Sequence, residues 1–315
     1  MGGKCFKAVK GGGTPESPEQ ELKIPLRDIQ LATQNFSQNY IGTGMTSSVY
    51  KCLLHDRVVA VKRMNIMVGY SYLKGEKRYI RFDFVFVVDA KALHEFQHPK
   101  IVKFVGFCQE GNERLIVSEY IKGKNLHQCL HGNPNVVPYI TWKQRFQIAV
   151  DIAEGIQYLH QQGVIHRRLR STNVLLDQNL TARIADYGFR EIRETYTQSR
   201  ICDRGPISGA LEYLCPQYMT LGIAGKNSDV YAYGIVLLEL LSGKDALGLI
   251  YWVSDRLKEG RYLDICDPRI ISEIDDQIFK VAVDIAMQCT AANLSDRPEI
   301  SDVVVALGAC RNVVG

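Results

Sequence analysis

The sequence has no long apolar run, no paired cysteine motif and no secretory leader. Its longest apolar stretch, residues 230–241, is interrupted by Glu239 and is too short to cross the roughly 30 Å of a bilayer core. The nine cysteines form no CxxC pair, and the first residues contain no apolar signal core. These absences predict a chain without a transmembrane helix, in a reducing, cytoplasmic setting.

The charge is nearly balanced, with 38 basic and 34 acidic residues and a formal net charge of +4 in 315 residues. Nucleic-acid-binding proteins usually carry clustered positive charge, so this balance predicts no nucleic-acid partner. Hydrophobic residues make up 46% of the chain, and glycine and proline recur without a fixed period. The composition predicts an ordinary globular protein with a large core.

Residues 1–21 have the composition of a flexible tail. Gly2 is a candidate for myristoylation once Met1 is removed, and Cys5 is a candidate for palmitoylation. One acyl chain binds membranes weakly, so the second chain and the basic residues Lys4, Lys7 and Lys10 matter for attachment to the cytosolic face of the plasma membrane. Phe6 stands where the usual pattern has Ser or Thr, and an unmodified tail is the alternative.

The pattern of the remaining chain changes from strand to helix. Residues 40–64 and 115–117 contain short β-branched and aromatic runs that predict strands. Farther on, Thr141 and Gln144 form a capping box, and Ser228 is expected to open a buried helix over residues 230–241. We therefore expect an α+β fold with an N-terminal lobe in residues 22–121 and a helical lobe in residues 122–310.

Four short motifs follow one another in a fixed order. A glycine-containing turn spans residues 41–49, and a strand with the sequence Val-Ala-Val ends at Lys62. The sequence His-Arg-Arg-Leu-Arg-Ser-Thr-Asn occupies residues 166–173, and Ala-Asp-Tyr-Gly-Phe occupies residues 185–189. Each motif is weak evidence alone, but their order within residues 24–307 resembles the eukaryotic protein kinase family.

This resemblance implies a bilobal protein-kinase-like fold, with a small antiparallel-sheet N-lobe and a larger helical C-lobe, that binds ATP and Mg²⁺. It implies that the nucleotide site is lined by Gly42, Gly44, Val49, Ala60, Lys62, Glu119, Ile121 and Asp186. Asn173 and Asp186 would supply oxygen ligands to Mg²⁺. Taken singly, Lys62 reads as a solvated strand lysine and Asp186 as a turn residue, and only their joint order favours the kinase interpretation.

The catalytic loop departs from the family pattern at its central residue. In active kinases an aspartate follows His-Arg and accepts the proton of the substrate hydroxyl, whereas here that position holds Arg168. A guanidinium stays protonated and cannot accept a proton. Arg170 replaces a lysine that usually steadies the transferred phosphoryl group. The resemblance therefore predicts a pseudokinase, and the alternative is an active serine/threonine kinase with an atypical loop.

Other positions also depart from the kinase family pattern. The residue expected to pair with Lys62 is Asp89, which is one methylene shorter than the usual glutamate, and Glu95 is a less favoured substitute. Ser47 replaces the third glycine of the turn. Gln217 replaces a glutamate that would pair with Arg297, which leaves at most a hydrogen bond between them.

Two further residues have roles implied by the resemblance. Asp229 is expected at the start of the buried helix, and Arg167 is a candidate to bind a phosphorylated side chain of the activation segment. The candidate acceptors of that phosphate are Thr195, Tyr196, Thr197 and Ser199. His166, between these motifs, is expected to be structural rather than catalytic.

The motifs resemble those of plant receptor-like cytoplasmic kinases. Within that group the chain resembles pseudokinases that serve as adaptors or decoys beside NLR immune receptors. The partners implied are an NLR receptor, a receptor-like kinase or a pathogen effector. A third interpretation is a membrane-tethered scaffold that binds no nucleotide. The cationic, tyrosine-rich segment over residues 62–81 reads equally as a docking loop or as a solvated loop.

Overall fold

A computed structural model describes residues 22–44, 47–64, 67–73, 76–82, 85–87, 90–135, 137, 139–187, 190–192, 210–221 and 224–314. Several predicted residues lie outside these ranges: Gly2, Cys5, Asp89, Thr195, Tyr196, Thr197 and Ser199. Acylation of the tail, the partner of Lys62 and phosphorylation of the activation segment therefore stay predictions.

The strands are short and fall mostly in the first part of the chain. Their bounds are β1 (Tyr40–Gly44), β2 (Ser47–Leu54), β3 (Arg57–Met64), β4 (Met67–Leu73), β5 (Glu76–Phe82), β6 (Val85–Val87), β7 (Phe104–Glu110), β8 (Glu113–Glu119), β9 (Lys124–Asn125), β10 (Val174–Leu176), β11 (Ala182–Ile184) and β12 (Arg190–Ile192). The strands predicted within residues 40–64 and at 115–117 are confirmed as β1 to β3 and part of β8.

Helices dominate the second part of the chain. Their bounds are α1 (Leu26–Ala32), α2 (Ala90–Glu95), α3 (Leu126–His131), α4 (Trp142–Gln161), α5 (Pro216–Leu221), α6 (Lys226–Ser242), α7 (Leu249–Lys258), α8 (Asp276–Cys289) and α9 (Ile300–Val314). A single turn of 3-10 helix spans Ser171–Asn173. Among the helices of the described ranges, none has the length and apolar composition that spanning a bilayer requires.

The described residues group into two compact units. The first unit draws on the ranges 1–65, 89–95 and 104–118, and the second draws on 66–88, 96–103 and 119–315. This grouping follows contacts rather than chain order. The predicted boundaries after residues 21 and 121 stay predictions.

The first unit is built on a five-stranded sheet with the order β1-β2-β3-β8-β7. Alternation along β2 buries Tyr50, Cys52 and Leu54 and turns Lys51 and Leu53 outward, as expected for a strand with one face on a core. Helix α1 covers this face with Ile29, which is fully buried. The sheet and α1 thus fix the strands that carry Gly42, Val49 and Lys62.

The core of the second unit is formed by α4 and α6. Helix α4 begins with the predicted capping box, in which Thr141 accepts from the N–H of Gln144 and Gln144 accepts from the N–H of Thr141. Nearly every side chain of α6 is buried, and the hydroxyl of Tyr233 on α6 donates to the carbonyl of Ala149 on α4 at 3.1 Å. These two helices hold the loop that contains Arg168.

Two expectations about secondary structure were wrong in detail. Helix α6 begins at Lys226, two residues before the predicted Ser228, because Gly225 is the N-cap and donates its N–H to the Ser228 hydroxyl at 3.1 Å. Within residues 62–81, which were expected to form an exposed loop, β4 begins a hairpin in which it pairs antiparallel with β5. Aromatic residues at alternate positions, such as Tyr70 and Tyr72, are the strand signal that was overlooked.

Candidate functional site

The catalytic-loop segment is held by one buried carboxylate. Asp229, in the first turn of α6, accepts hydrogen bonds from the backbone N–H of His166 and of Arg167, each at 2.7 Å. The imidazole of His160 at the end of α4 contacts the same carboxylate at 2.9 Å. Asp229 is 1% exposed, so these contacts exchange little with water and fix the path of the loop.

The same network continues to Arg168. The backbone N–H of Arg168 donates to Nδ1 of His166 at 3.2 Å, and the side-chain amide of Asn173 donates to the Arg168 carbonyl at 2.7 Å. Arg167 adopts a positive φ of 70°, which is uncommon for a residue with a side chain and is found where surrounding contacts impose it. The loop is therefore a fixed turn.

His166 acts as a hydrogen-bond acceptor within this turn. Burial lowers the pKa of its imidazole, although Asp229 and Asp186 act in the opposite direction. A neutral ring suits the observed bond, because Nδ1 must carry a lone pair to accept from Arg168. This geometry is that of a structural histidine.

Positive charge is concentrated in the loop, since Arg167, Arg168 and Arg170 occur within four residues and all three are half-buried. A guanidinium donates hydrogen bonds and accepts none. The loop can attract an anion such as a phosphate, but the side chain at position 168 cannot withdraw a proton.

Asp186 and Asn173 are brought together by backbone pairing. The N–H of Ala185 donates to the carbonyl of Asn173 at 2.8 Å, which places Asp186 one residue from that contact. Asp186 adopts a φ of 66°, another left-handed conformation of a kind often found at functional sites. The Nδ2 atom of Asn173 is bound to Arg168, so its Oδ1 is the atom that a cation would use.

Tyr187 anchors the residues after Asp186. Its hydroxyl donates to the carbonyl of Val102 at 2.6 Å, and burial raises the pKa of the phenol well above its ordinary value. The phenol therefore remains protonated and keeps this bond across physiological pH.

In the first unit, three predicted nucleotide-binding residues lie in a row across β1, β2 and β3. Gly42 pairs with Val49, and Val49 pairs with Lys62. Ala60 lies two residues before Lys62 and shares its face of β3. A Cβ added at Gly42 would meet no atom within 4 Å, so the packing of the chain does not require glycine there. The absence of a side chain would allow the close approach of a phosphate that the sequence predicts there. Gly44 ends β1.

The predicted hinge begins at the last residue of β8, in the second unit. The Glu119 carboxylate accepts from the N–H of Lys103 at 2.7 Å and pairs with Arg183 at 3.3 Å. Its side chain is therefore occupied within the protein, and its N–H donates to the Lys103 carbonyl at 3.0 Å, so a ligand contact at Glu119 would have to use its carbonyl. Glu95, the alternative partner of Lys62, ends α2 and is exposed.

The interaction between Gln217 and Arg297 is a hydrogen bond. The Arg297 guanidinium donates to Oε1 of Gln217 at 2.8 Å and also to the carbonyls of Ala291 and Asn227 at 2.8 and 3.0 Å. The Gln217 amide in turn donates to the carbonyl of Ala292. Gln217 stands where the family pattern has a glutamate. In place of the expected ion pair it forms one hydrogen bond through its amide N–H and one through its amide oxygen.

A buried network below the loop was missed by the sequence interpretation. The carboxylate of Glu239 accepts from Ser171 at 3.0 Å and from Tyr213 at 2.8 Å, and the two hydroxyls contact each other at 3.0 Å. Glu239 has no exposed surface. The signal was its position as the only charge in an apolar run, since a buried carboxylate requires partners.

The chain is similar in sequence to known proteins. Residues 36–307 match the family model described as protein tyrosine and serine/threonine kinase. The chain is 33% identical over 309 residues to the receptor-like kinase LIP2 of Arabidopsis thaliana, covering 93% of this chain and 53% of that protein. It is 32% identical over 306 residues to the calmodulin-binding receptor-like cytoplasmic kinase 3 of the same plant, covering 92% and 57%. The chain spans about half the length of these relatives.

A solved structure is also similar. It is the pseudokinase domain of BIR2, an immune regulator of the RLK/Pelle family, and it matches with a TM-score of 0.73 and 28% identity. The similarity covers 93% of this chain and 88% of that one. It confirms the predicted kinase-like fold, with an antiparallel-sheet N-lobe and a helical C-lobe.

Proposed function

The chain belongs to the protein tyrosine and serine/threonine kinase family, and from that premise we propose that it is a pseudokinase. It keeps a nucleotide site, has lost efficient phosphoryl transfer and acts by binding other proteins. The observation that carries this proposal is Arg168, which occupies the position of the proton acceptor in a loop whose main chain is held by hydrogen bonds with His166 and Asn173.

The charge at position 168 opposes transfer in two ways. A carboxylate there would accept a proton and favour the approach of a hydroxyl, whereas a guanidinium supplies no lone pair and adds positive charge. Loss of a general base lowers a rate by about 10²- to 10⁴-fold. Because the backbone of the loop is fixed by Asp229 and Asn173, a small rearrangement would not bring another carboxylate into the same place.

The nucleotide half of the site supports ATP binding. The open space at Gly42 suits a phosphate close to the backbone, and Lys62 on the same row of strand residues supplies a positive charge. The donor set of Asn173 and Asp186 suits Mg²⁺, which prefers oxygen ligands and which neutralises phosphate charge when bound. Arg168 and Arg170 add positive charge, which reduces the need for the metal.

Protein partners follow from this interpretation. A kinase-like surface without transfer activity can serve as an adaptor or decoy, and we place its partners among NLR receptors, receptor-like kinases and pathogen effectors of plants. The likeness to a solved immune-regulator pseudokinase supports this role. Acylation at Gly2 and Cys5 would hold the chain at the cytosolic face of the plasma membrane. Labelling with a myristate analogue, compared with a Gly2→Ala variant, tests the first of these modifications.

An active serine/threonine kinase is the second candidate, and the intact turn around Asn173 favours it. A radiolabelled ATP transfer assay distinguishes the two. We expect no transfer by the unmodified chain and measurable transfer by Arg168→Asp, which must disappear when Asp186→Ala is added. Transfer by the unmodified chain that disappears in Asp186→Ala would establish the active kinase instead.

Nucleotide binding is tested separately by thermal shift. ATP is expected to raise the melting temperature with Mg²⁺, and to raise it by a smaller amount without Mg²⁺. An unchanged melting temperature in both conditions would contradict nucleotide binding and would favour the scaffold interpretation.

A further inference from the structure

A second group of side chains lies in the second unit and includes none of the residues assigned above to nucleotide. His127 and His131 on α3 and Glu239 on α6 each offer a ligand atom, and these atoms all lie within 4.8 Å of one another. We propose that His127, His131 and Glu239 form a binding site for a divalent transition metal ion of the Zn²⁺ class.

The two histidines have the spacing that a helix needs to present both to one ion. Residues four apart lie on the same face one turn away from each other. The rings of His127 and His131 are accordingly neighbours, with centroids 4.7 Å apart and planes tilted by 50°. Imidazole nitrogen is a preferred ligand for Zn²⁺, Ni²⁺ and Cu²⁺.

The third ligand is a carboxylate whose position is fixed. Glu239 has no exposed surface, and Ser171 and Tyr213 donate to its two oxygens at 3.0 and 2.8 Å. Hydrogen bonds of this kind hold a metal-binding carboxylate in one orientation and leave its further lone pairs available. The carboxylate ligand therefore already has outer hydrogen-bond partners of the kind found at metal sites.

The distance between His131 and Glu239 suits two ligands of one ion. Nε2 of His131 lies 3.7 Å from Oε1 of Glu239, which is too far for a hydrogen bond. Two ligands about 2.1 Å from a tetrahedral Zn²⁺ lie roughly 3.4 Å apart. A shift of a few tenths of an ångström would let both atoms bind the same ion.

Among the described residues, the Nε2 atom of His131 has no hydrogen-bond partner, and its one ion-pair contact is the Glu239 carboxylate at 3.7 Å. This nitrogen is buried. A buried polar atom without a partner is uncommon in folded proteins and calls for an explanation such as a bound ion. A metal ion between His131 and Glu239 would satisfy this nitrogen.

A pocket lies beside His131. This residue lines the pocket, which has a volume of about 650 Å³ and lies between the end of α3 and the segment after α6. The charged groups of the lining are balanced, with Lys244 and Arg269 opposed by Asp264 and Asp267. The pocket can supply a water molecule as the fourth ligand, as in other sites with two histidines and one glutamate.

An ion at this site would connect three elements. It would join α3 to α6 directly, and through the bond between Glu239 and Ser171 it would reach the 3-10 helix that ends at Asn173. Binding would stabilise the folded chain, because the unfolded chain does not hold the three ligands together.

The test uses the purified full chain, freed of metal by a chelator, with Co²⁺ and Zn²⁺ as probes. We expect one equivalent of Co²⁺ to bind with the visible d–d spectrum of a four-coordinate ion, and Zn²⁺ to displace it. His127→Gln and His131→Gln should each weaken binding by roughly 100-fold or more, since the loss of even an outer partner weakens binding about 10- to 100-fold. The matched control is His55→Gln, an exposed histidine of the first unit that pairs with Asp28, and it should bind as the parent does.

Three results would overturn the proposal. The first is the absence of a Co²⁺ spectrum in the parent chain, and the second is binding that neither histidine substitution weakens. The third is an intense sulfur-to-metal charge-transfer band, which would assign the ion to cysteine, since all seven cysteines of the described ranges are free. His127 is only half-buried, so His127→Gln remains informative if His131→Gln fails to fold.

Discussion

Asp229 accepts a hydrogen bond from the backbone N–H of Arg167 at 2.7 Å, so a carboxylate in α6 sets the chain path immediately before Arg168. The loop therefore depends on a side chain 62 positions away in the sequence. This dependence can be measured.

We expect Asp229→Ala to lower the free energy of unfolding of the second unit by about 3–5 kcal/mol, because it removes the acceptor of two buried N–H groups and the partner of His160. Urea unfolding followed by tryptophan fluorescence reports on this unit, since Trp142 and Trp252 both lie in it. The control is Asp255→Asn on α7, whose pairing with Lys258 is exposed and which should change the value by less than about 0.5 kcal/mol. Equal effects would show that Asp229 does not hold the loop.

Tyr213→Phe removes the hydroxyl that donates to the buried carboxylate of Glu239 at 2.8 Å. A lost hydrogen bond to a buried charge should destabilise the second unit by about 1.5–3 kcal/mol in the same urea experiment. Tyr139→Phe is the matched control, because Tyr139 donates to Glu273 at 2.7 Å in an exposed position. The control should change the free energy of unfolding much less, because an exposed hydroxyl can bond to water instead, and a similar loss in both variants would contradict the assigned burial.

His166 predicts a pH dependence between about pH 7 and pH 5. Burial depresses the pKa of the folded state, so below about pH 6.5 the unfolded chain binds a proton that the folded chain does not. The contribution of His166 to the free energy of unfolding is therefore fully present above the ordinary histidine pKa. It falls as the pH drops, by at most about 1.4 kcal/mol per pH unit. Urea unfolding of His166→Gln at pH 7 and pH 5 should show a smaller fall than the parent. An identical fall would assign the titration to other groups.

Gly243→Ala should destabilise α6 by about 3 kcal/mol or more. Gly243 ends the helix with φ at 65°, and an added Cβ would lie 2.0 Å from Oδ2 of Asp267. Asp267 cannot yield freely, because Arg145 and Arg269 pair with it at 2.8 and 2.7 Å. Gly260→Ala, with φ at 72° and open space around the Cβ, separates backbone strain from collision and should cost about 1–2 kcal/mol.

Gly42→Val tests the turn between β1 and β2 as a phosphate site. Among the described residues no atom lies within 4 Å of the added Cβ, so the melting temperature without nucleotide should stay within about 2 °C of the parent. The shift produced by ATP should fall or disappear, because the methyl groups occupy the space that a phosphate needs. A full ATP shift in the variant would place the nucleotide elsewhere.

The sequence predicted the fold and most of the loop because these depend on local patterns. The capping box at Thr141 specified the start of α4, and strand periodicity specified β1 to β3. The start of α6 was misjudged because Gly225 has no side chain to mark it as a cap. The hairpin of β4 and β5 was misjudged because its basic residues were read as solvated loop.

The networks that hold the loop could not be derived from spacing. Asp229, His160 and His166 meet only after α4 and α6 have packed together, and no periodicity in the chain records that packing. The same is true of Ser171, Tyr213 and Glu239, which come from three separate segments. Burial of Glu239 in an apolar helix indicated that partners exist, but their identity required the structure.

The hydrogen bonds described for residue 168 itself run through its main-chain N–H and C=O groups. Neither bond depends on which side chain stands at position 168. A codon change there would alter the chemistry of the loop and leave both groups able to make these bonds. A lineage of such chains could therefore exchange this side chain and keep these two main-chain contacts.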